Sequence, residues 1–356
     1  MRDGLGEPDG ARSIRERALS KVNLALCVLG RRPDGYHEID TVMAAVEPAD
    51  ELALRLEPGQ PPGQLSLEVT GPQAQALARA GVPTAERVSP GPAVEGGEVP
   101  GNLVLRAALA LARRAGRTPP AVHMRLVKRI PVGAGLGGGS SDAAAALRAL
   151  NRLWALGLTE AELEAVGAEV GADVPFCVRG GVQRARGLGE RLTPIECRLE
   201  ASCVVAVPEA RVATSEAYRL WDRQSGPSAA PDGGGCPDVD ALVAALARGE
   251  LAEVRRRVRN DLAAAACRLS PETARLLSLF EEAGAAGAGV TGSGSAVFAL
   301  TSPERGPELA EVMRRRAAAA GLAVWVWVSP LPAGDLAARW RPGRTVVQSR
   351  LGSRPG

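Results

Sequence analysis

The sequence is poor in histidine and in aromatic residues. Its 356 residues include two histidines, His37 and His123, and the aromatic residues are five tryptophans, three phenylalanines and two tyrosines. So few histidines exclude a histidine-rich metal cluster and argue against a Ser-His-Asp triad. No Gly-x-Ser-x-Gly sequence occurs either, so the nucleophile motif of many serine hydrolases is missing.

The cysteines and the apolar residues also lack a pattern. Six cysteines are scattered without a C-x-x-C pair, which predicts reduced thiols and a cytoplasmic location. The apolar run at residues 324–328 is far shorter than a membrane span. Residues 1–17 are polar and mixed in charge, so we expect a disordered extension rather than a signal peptide.

Neither sign of charge dominates the chain. The 43 basic and 40 acidic residues give a net charge of +3, which provides no broad field for a nucleic acid or a membrane. We therefore expect small-molecule partners, no nucleic acid and no membrane. The length is sufficient for two domains with well-buried cores.

Glycine is abundant, and it is concentrated in one segment. Residues 131–142 read PVGAGLGGGSSD and lead directly into an alanine-rich helix. Glycines leave their backbone N–H groups unshielded and adopt positive φ easily, which suits a loop wrapped around a polyanion. Ser140, Ser141 and Asp142 are good N-cap residues, so the loop would present its ligand to the positive end of a helix. The segment predicts a phosphate site.

Other interpretations of the glycine segment fit less well. A flexible linker would not lie between an apolar strand and a helix. Gly133, Gly135 and Gly138 match the dinucleotide motif G-x-G-x-x-G, but residues 122–130 alternate apolar with polar, whereas a first Rossmann strand is apolar almost throughout. Walker and protein-kinase loops fail because no Gly-Lys-Ser/Thr, His-Arg-Asp or Asp-Phe-Gly sequence occurs.

Strand and helix patterns are mixed in both halves of the chain. Apolar runs and alternation predict strands near residues 22–28, 39–46, 52–56, 65–69, 122–130, 172–177, 203–207 and 322–328. Periodicity and caps predict helices after Asn102, over 140–154 and 159–170, the last with a Thr159–Glu162 capping box, and near 214–221, 238–248, 250–258, 271–283 and 305–320. Loops are expected at 86–101 and 223–238, and a hairpin turn at 187–190. The predicted class is α+β in two lobes.

Three sequence blocks, in this order, resemble the GHMP kinase family. They are KVNL at 21–24 with GYH at 35–37, the glycine segment at 131–142, and GVTGSGS at 289–295. The sequences RPDGYHE at 32–38, GADVPF at 171–176 and GLGE at 187–190 resemble the branch that acts on a cytidyl diphospho-sugar alcohol. The resemblance covers roughly residues 18–330. The chain departs from the family at Ser20, where alanine is usual, and in its longer loops at 86–101 and 223–238.

The resemblance implies a fold, an activity and a domain division. The fold is a two-lobed GHMP kinase fold of mixed sheets and helices, with the ATP loop between a strand and a helix. The activity is ATP-dependent phosphorylation of a hydroxyl of that sugar alcohol in isoprenoid precursor biosynthesis, by a monomer or homodimer. The implied divisions are an extension at 1–17, an ATP-binding domain at 18–183, a C-terminal domain at 184–340 and a basic tail at 341–356.

The resemblance also implies roles for single residues. Asp173 would accept the hydroxyl proton, with Lys21 as its partner. The implied ATP contacts are Pro131, Gly133, Gly135, Leu136, Gly137, Gly138, Gly139, Ser140 and Ser141, with Asn102 and Lys128 near the adenine. The implied substrate contacts are Asn23, Tyr36, His37 and Tyr218. Magnesium is expected to offset the phosphate charge, and the sequence leaves its ligand open, with Ser141 and Asp142 as candidates.

The residues alone leave alternatives open. Asp173 is also placed to cap a helix or a strand, Lys21 and Lys128 to be surface charges, and Tyr218 to pack within its own helix. A nicotinamide-dependent oxidoreductase or a nucleotide-binding regulator would also use the glycine segment. Within the family, a mevalonate- or homoserine-type kinase would lack the tyrosine-histidine element at 36–37.

Overall fold

The structure is a computed structural model, and it describes residues 13–88, 101–225 and 236–331. These residues form twelve strands and eleven helices. The strands are β1 (Ser13–Arg31), β2 (His37–Leu56), β3 (Leu65–Thr70), β4 (Ala85–Val88), β5 (Val122–Val127), β6 (Val182–Gly187), β7 (Arg191–Pro194), β8 (Ala201–Pro208), β9 (Arg259–Asn260), β10 (Gly289–Val290), β11 (Val297–Thr301) and β12 (Val324–Leu331). The helices are α1 (Ala74–Arg79), α2 (Leu103–Ala115), α3 (Gly138–Leu153), α4 (Glu160–Val170), α5 (Val174–Arg179), α6 (Thr214–Ser225), α7 (Pro237–Arg248), α8 (Leu251–Arg256), α9 (Ala263–Leu269), α10 (Pro271–Glu282) and α11 (Arg305–Ala319).

A sheet of eight strands is built around the long antiparallel pair β1 and β2. Strand β2 is long enough to pair with β6 along its first half and with β5 along its second half. The sheet continues from β5 through β3 to β4, and from β6 to β7. The short strand β9, from the second half of the chain, pairs parallel with β1. The N-terminal sheet therefore includes residues from both halves of the sequence.

One face of this sheet is covered by helices α2 to α5. In β5, Val122, Met124 and Leu126 are buried while Arg125 is exposed, which confirms the alternation that the sequence predicts. The buried side chains join apolar residues of α2, α3, α4 and α5 in one core. Each fully buried leucine of such a core stabilises the fold by roughly 1.5–3 kcal/mol relative to exposure.

A second sheet has the strand order β10-β11-β8-β12. Every residue of β8 is buried, because apolar layers cover both faces of this strand. Val204 and Ala206 face helices α10 and α11, whereas Val205 and Val207 face a core shared with β1 and β2. That shared core packs the two sheets together and confirms the α+β class.

Local capping signals place two helices as the sequence predicts. Helix α2 follows Asn102, whose Oδ1 accepts a hydrogen bond from the N–H of Val104 at 2.9 Å. Helix α4 begins with the capping box of Thr159 and Glu162. The turn between β6 and β7 confirms the predicted hairpin, with Arg186 paired to Arg191.

Two predictions about backbone structure are wrong. Residues 172–177, predicted as a strand, enter the helix α5 at Val174, with Pro175 in its first turn. A short apolar run does not distinguish a buried strand from a buried helix, and proline fits a helix start. Residues 13–17, predicted as part of an extension, belong to β1. Glu16 is buried there within ion-pair distance of Arg148 and Arg152.

The prediction that all cysteines are reduced is also wrong. Cys27 in β1 and Cys236 before α7 form a disulfide, with their Cα atoms 6.5 Å apart. Folding brings together two residues that are 209 positions apart, which spacing along the sequence does not reveal. The cysteines at 177, 197, 203 and 267 are free.

Several predicted segments lie outside the described residues. They are residues 1–12 of the extension, 89–100 and 226–235 of the two loops, and everything from 332 onward, including the basic tail. Among the described helices, none is long and apolar enough to cross a membrane.

Candidate active site

The three sequence blocks meet at one cavity of about 960 Å³. Its walls come from β1 and β2, the glycine segment, the start of α5, helix α6 and the loop after β10. The backbone of Lys21 is joined to the glycine segment by a hydrogen bond from its N–H to Leu136 O at 3.0 Å. Close packing against the third block leaves no room for a side chain at Gly135, where a Cβ would lie 2.3 Å from Thr291 O.

The glycine segment delivers the first turn of α3 to this cavity. The N-cap of α3 is Gly137, at φ 67°, and it has no side chain to fill the helix end. The N–H of Ser141 donates to Gly137 O at 2.9 Å, so the N–H groups that precede it in this turn point out of the helix end. A helix end of this kind binds phosphate.

The prediction that residues 140–142 cap this helix is wrong, because they lie within the helix, after its N-cap Gly137. The hydroxyl of Ser141 donates to Leu19 O at 2.6 Å. The carboxylate of Asp142 accepts a hydrogen bond from Lys128 at 2.6 Å. Both side chains thus make hydrogen bonds within the protein, and their role as magnesium ligands stays a prediction.

A buried ion cluster holds the two ends of the glycine segment. Lys128 is 2% exposed, and its Nζ contacts Asp50 as well as Asp142. Asp50 Oδ1 also accepts hydrogen bonds from the backbone N–H groups of Arg129 and Ile130, where the segment begins. We call Asp50, Lys128 and Asp142 the loop clamp. Lys128 is not a surface charge, and its adenine contact stays a prediction.

Charge in the loop clamp is unequally shared. Burial raises the pKa of Asp142 well above its usual range; Lys128 opposes the shift, and the neighbouring Asp50 adds to it. Burial is the largest single effect on Lys128, and it lowers the pKa. The charges of Asp142 and Asp50 together outweigh burial, so the pKa of Lys128 is raised. Burial therefore disfavours the ionised form of Asp142, whereas the ammonium form of Lys128 is favoured. One oxygen of Asp142, Oδ1, is buried without a hydrogen-bond partner among the described residues.

Lys21 and Asp173 are brought together as predicted. Lys21 Nζ lies 3.6 Å from Asp173 Oδ2, and the lysine side chain is 6% exposed, which excludes a solvated strand-edge residue. Asp173 occupies the N-cap position of α5, but its side chain makes no capping hydrogen bond. The carboxylate is therefore available to a substrate hydroxyl.

Asn23 fixes the position of Lys21. Its Oδ1 accepts hydrogen bonds from Lys21 Nζ at 2.7 Å and from the N–H of Gly292 at 3.0 Å. Its Nδ2 donates to Thr41 Oγ1 at 2.9 Å, and its own N–H donates to Thr291 Oγ1 at 3.0 Å. Asn23 thus links the first block to the third, and a direct substrate contact by Asn23 stays a prediction.

The opposite end of the cavity is aromatic. Tyr36 is 64% exposed at the cavity wall. The rings of His37 and Tyr218 stack with centroids 4.6 Å apart, and Trp221 meets His37 edge-on at 5.7 Å. Tyr218 also packs with Trp221 against an apolar cluster of β1 and Leu262, so packing accounts for part of its environment. Burial, with the charge of Asp173, raises the pKa of Tyr218 to about 12 and keeps its hydroxyl protonated.

Sequence reasoning missed two acidic residues of the site. Asp222 Oδ1 lies 2.7 Å from His37 Nε2. It follows Tyr218 by four positions in α6, so helical spacing was a usable signal that the two share a face. Asp50 of the loop clamp had no such signal, because its contacts to Lys128 span 78 residues.

Comparison with known proteins agrees with this geometry. The models named GHMP kinases N terminal domain and GHMP kinases C terminal match residues 102–181 and 242–319. A 4-diphosphocytidyl-2-C-methyl-D-erythritol kinase of Pelotomaculum thermopropionicum is 39% identical over 292 residues, which cover 81% of this chain and 89% of that relative. The chain belongs to the 4-diphosphocytidyl-2-C-methyl-D-erythritol kinases of the GHMP kinase family. A kinase of the same name from Nocardia farcinica is 41% identical over 278 residues, 78% of this chain and 81% of the relative.

Solved structures extend the similarity to the fold. A crystal structure of 4-(cytidine 5'-diphospho)-2C-methyl-D-erythritol kinase has 35% identity and a TM-score of 0.64, covering 90% of this chain and all of that one. A homoserine kinase from Cytophaga hutchinsonii has 20% identity and a TM-score of 0.67, covering 90% of this chain and 96% of that one, and shares the fold alone. The chain is an ATP-dependent kinase, so the oxidoreductase and regulator alternatives are wrong.

Proposed function

We propose that this kinase transfers the γ-phosphoryl group of ATP to the 2-hydroxyl of 4-diphosphocytidyl-2-C-methyl-D-erythritol. The observation that supports it is the position of the Lys21–Asp173 pair, which lines one cavity with both the glycine segment and the aromatic end. A kinase needs its acceptor hydroxyl held between a proton acceptor and the terminal phosphate. This cavity offers both ends of that arrangement.

Asp173 acts in this proposal as the proton acceptor, and Lys21 as its electrostatic partner. As the substrate oxygen bonds to the γ-phosphorus, the bond to the leaving ADP oxygen breaks and the hydroxyl proton passes to Asp173. Lys21 keeps the carboxylate oriented and offsets charge that develops on the transferred group. Asn23 holds the ammonium group in place through its 2.7 Å hydrogen bond.

The phosphates of ATP lie, in this proposal, along residues 133–141. The N–H groups at the start of α3 and the positive φ of Gly137 let backbone atoms approach the phosphate oxygens. Leu77, Val82 and Leu103 line the cavity near Asn102 and supply an apolar wall for the adenine. The Oδ1 of Asn102 accepts the hydrogen bond of the helix cap, so its amide N–H groups remain to bind the base.

The diphosphocytidyl group would occupy the aromatic end. Tyr36 and Tyr218 provide ring faces for the cytosine at roughly 1–3 kcal/mol of stacking per contact, and His37 reads the polar edge of the base. Because Tyr218 already stacks on His37, a sandwich of the cytosine between Tyr218 and Tyr36 requires the exposed Tyr36 ring to close on the base. Arg31 and Arg219 line the same wall and are placed to face the substrate diphosphate.

Magnesium is proposed to enter with ATP. The described residues contain no group of three or more His, Cys, Asp or Glu side chains that could hold a metal. This fits an ion bound mainly by phosphate oxygens and water, since Mg²⁺ in kinases takes few protein ligands. Magnesium bound with ATP would offset the negative charge of the two polyphosphates.

The experiment that tests the proposed function is an ADP-release assay over a panel of alcohols. The panel contains 4-diphosphocytidyl-2-C-methyl-D-erythritol, its uridyl analogue, mevalonate, homoserine and galactose, each with magnesium-ATP. We expect turnover of the cytidyl substrate to exceed that of the last three by a factor of at least about 10³, since those alcohols leave the polar groups of the aromatic end unpaired. Phosphorus NMR of the product then locates the new phosphate. Comparable turnover of mevalonate or homoserine would contradict the proposal.

The remaining proposals concern the whole protein. We propose two lobes whose boundary follows β7 instead of the expected residue 183, because β6 and β7 pair within the first sheet. We also propose a monomer or homodimer in solution and a cytoplasmic location. Limited proteolysis and light scattering on the purified chain test the first two.

A further inference from the structure

His37 and Asp222 are hydrogen-bonded at the aromatic end of the cavity, where they could select the base of the substrate. His37 is the first residue of β2, and Asp222 lies in α6, so two elements that are 185 residues apart meet at this hydrogen bond. The His37 Nε2 to Asp222 Oδ1 distance is 2.7 Å, and the imidazole side chain is 9% exposed. The geometry is that of a histidine oriented by a carboxylate.

A carboxylate fixes which ring nitrogen carries the proton. Ionised Asp222 only accepts hydrogen bonds, so the Nε2 of a neutral His37 must be the protonated nitrogen. Nδ1 then carries a lone pair. Among the described residues Nδ1 has no hydrogen-bond partner, although His37 lines the cavity and nine-tenths of its side chain is buried. An acceptor without a protein partner at the wall of a ligand cavity is placed to bind a donor on the ligand.

The ring cannot easily escape this orientation. Tyr218 stacks on one face of the imidazole, and Trp221 closes on it from the edge. Both side chains lie within one turn of Asp222 on the same helix, so α6 supplies the acceptor and the packing together. A rotation that exchanged the two nitrogens would break the hydrogen bond and leave the carboxylate against a lone pair.

We propose that Asp222 is a positioning residue that keeps His37 in the Nε2–H tautomer, so that Nδ1 accepts a hydrogen bond from the 4-amino group of cytosine. The inference rests on the proposed function, because it assumes a cytidyl substrate. Uracil presents a carbonyl oxygen at the same position, which would face the Nδ1 lone pair with no proton between them. Such an unpaired contact weakens binding by about 10–100-fold.

The tautomer is tested directly by nitrogen NMR. The protein contains only two histidines, so ¹⁵N-histidine labelling gives two ring systems. His123 bonds to Ser66 through Nδ1 and serves as the internal reference, assigned with a His123→Asn variant. We expect His37 in the Nε2–H form in the wild type and a mixture of tautomers in Asp222→Ala. A wild-type imidazolium, or an Nδ1–H tautomer, would overturn the inference.

Kinetics test the consequence for specificity. Asp222→Ala should raise KM for the cytidyl substrate, leave kcat within a few-fold, and narrow the cytidyl-to-uridyl ratio of kcat/KM about tenfold. Asp222→Asn retains an acceptor oxygen and should restore most of the ratio. Glu216→Ala is the matched control, since this exposed acidic residue of the same helix does not line the cavity. If the ratio is unchanged in Asp222→Ala while the wild type still prefers the cytidyl substrate, the role of Asp222 is rejected and the proposed substrate stands. Equal use of both bases by the wild type rejects the proposed substrate, and the role of Asp222 with it.

Discussion

At the scale of single residues, the site depends on Lys21 being held by one neighbour in sequence and by groups that are remote in sequence. Its ammonium group lies between Asn23, two positions away, and Asp173 at the start of α5. A Cβ at Gly137 would lie 2.9 Å from Lys21 Cγ, so the glycine segment also packs directly against the lysine stem. A valine at Gly137 would therefore disturb both the phosphate cradle and the catalytic lysine.

The catalytic pair gives the first prediction. Asp173→Asn and Lys21→Ala should each lower kcat by on the order of 10²–10⁴, because they remove the proton acceptor and the charge that supports it. ATP affinity, measured by calorimetry, should change little in Asp173→Asn. Glu169→Gln, an exposed residue of the preceding helix, is the control. Turnover within a few-fold of wild type in both variants would remove the pair from the mechanism.

Individual site residues were predictable to different degrees. Lys21, Asp173 and the residues of the glycine segment came from motifs that are contiguous in sequence, and the structure brings them to one cavity. The contact of Asn23 with Gly292 spans 269 residues, and no local pattern signals it. The sequence did not predict the burial of Lys128 either. The alternation in β5 does not indicate which residues pack over Lys128, which follows the strand.

At the scale of elements, the loop clamp joins strand β2, the end of β5 and helix α3 through three side chains. It leads to a prediction that compares two isosteric variants. Asp50→Asn should lower the free energy of unfolding by about 3–5 kcal/mol, because Lys128 loses its charged acceptor in a buried site. Asp142→Asn should change it by less than about 1 kcal/mol, because that carboxyl group is already biased toward its neutral form. Urea unfolding followed by tryptophan fluorescence measures both, and equal losses would contradict the assigned charges.

The raised pKa of Asp142 also predicts a pH dependence. A carboxyl group whose pKa is higher in the folded than in the unfolded state binds more protons when folded, so stability falls as pH rises above the ordinary value of 3.8. Relative to Asp142→Asn, the wild type should therefore lose stability with rising pH until the folded-state pKa is passed. The difference in unfolding free energy between the two proteins, measured from pH 4 upward, checks the sign. A difference that stays flat would mean that folding does not shift the pKa of Asp142, and one that grows in favour of the wild type would mean that folding lowers it.

Elements with local signals were predicted, and elements without them were not. The starts of helices α2 and α4 are marked in the sequence by Asn102 and by the capping box of Thr159 and Glu162. The two-residue strand β9 is visible only through its pairing with β1, which lies more than 200 residues earlier. Helix α5 looked like a strand because both sides of it are buried, so the apolar run has no period.

At the scale of the whole molecule, ATP should stabilise the folded chain. Residues around both sheets line the cavity, so the cavity exists only when the two sheets have packed together. Magnesium-ATP at about 100 times its dissociation constant should add about 2.7 kcal/mol to the free energy of unfolding, and NAD at equal concentration should add none. Thermal unfolding with each nucleotide, with and without magnesium, measures this. A shift with NAD as large as with ATP would contradict the nucleotide assignment.

The hydrogen bonds between Asn23 and residues Thr291 and Gly292 determine when, during synthesis of the chain, the active site can form. A ribosome extends the chain from its N-terminus, so Lys21, the glycine segment and Asp173 all emerge before the residues that lock Asn23 in place. Contacts of such long separation form late, because the intervening chain must first be made and ordered. A nascent chain that ends before residue 291 holds the catalytic pair and the phosphate loop but lacks the partners of Asn23. Catalytic competence therefore requires that residues 291 and 292 have been made, by which time the ATP-binding half has had time to fold.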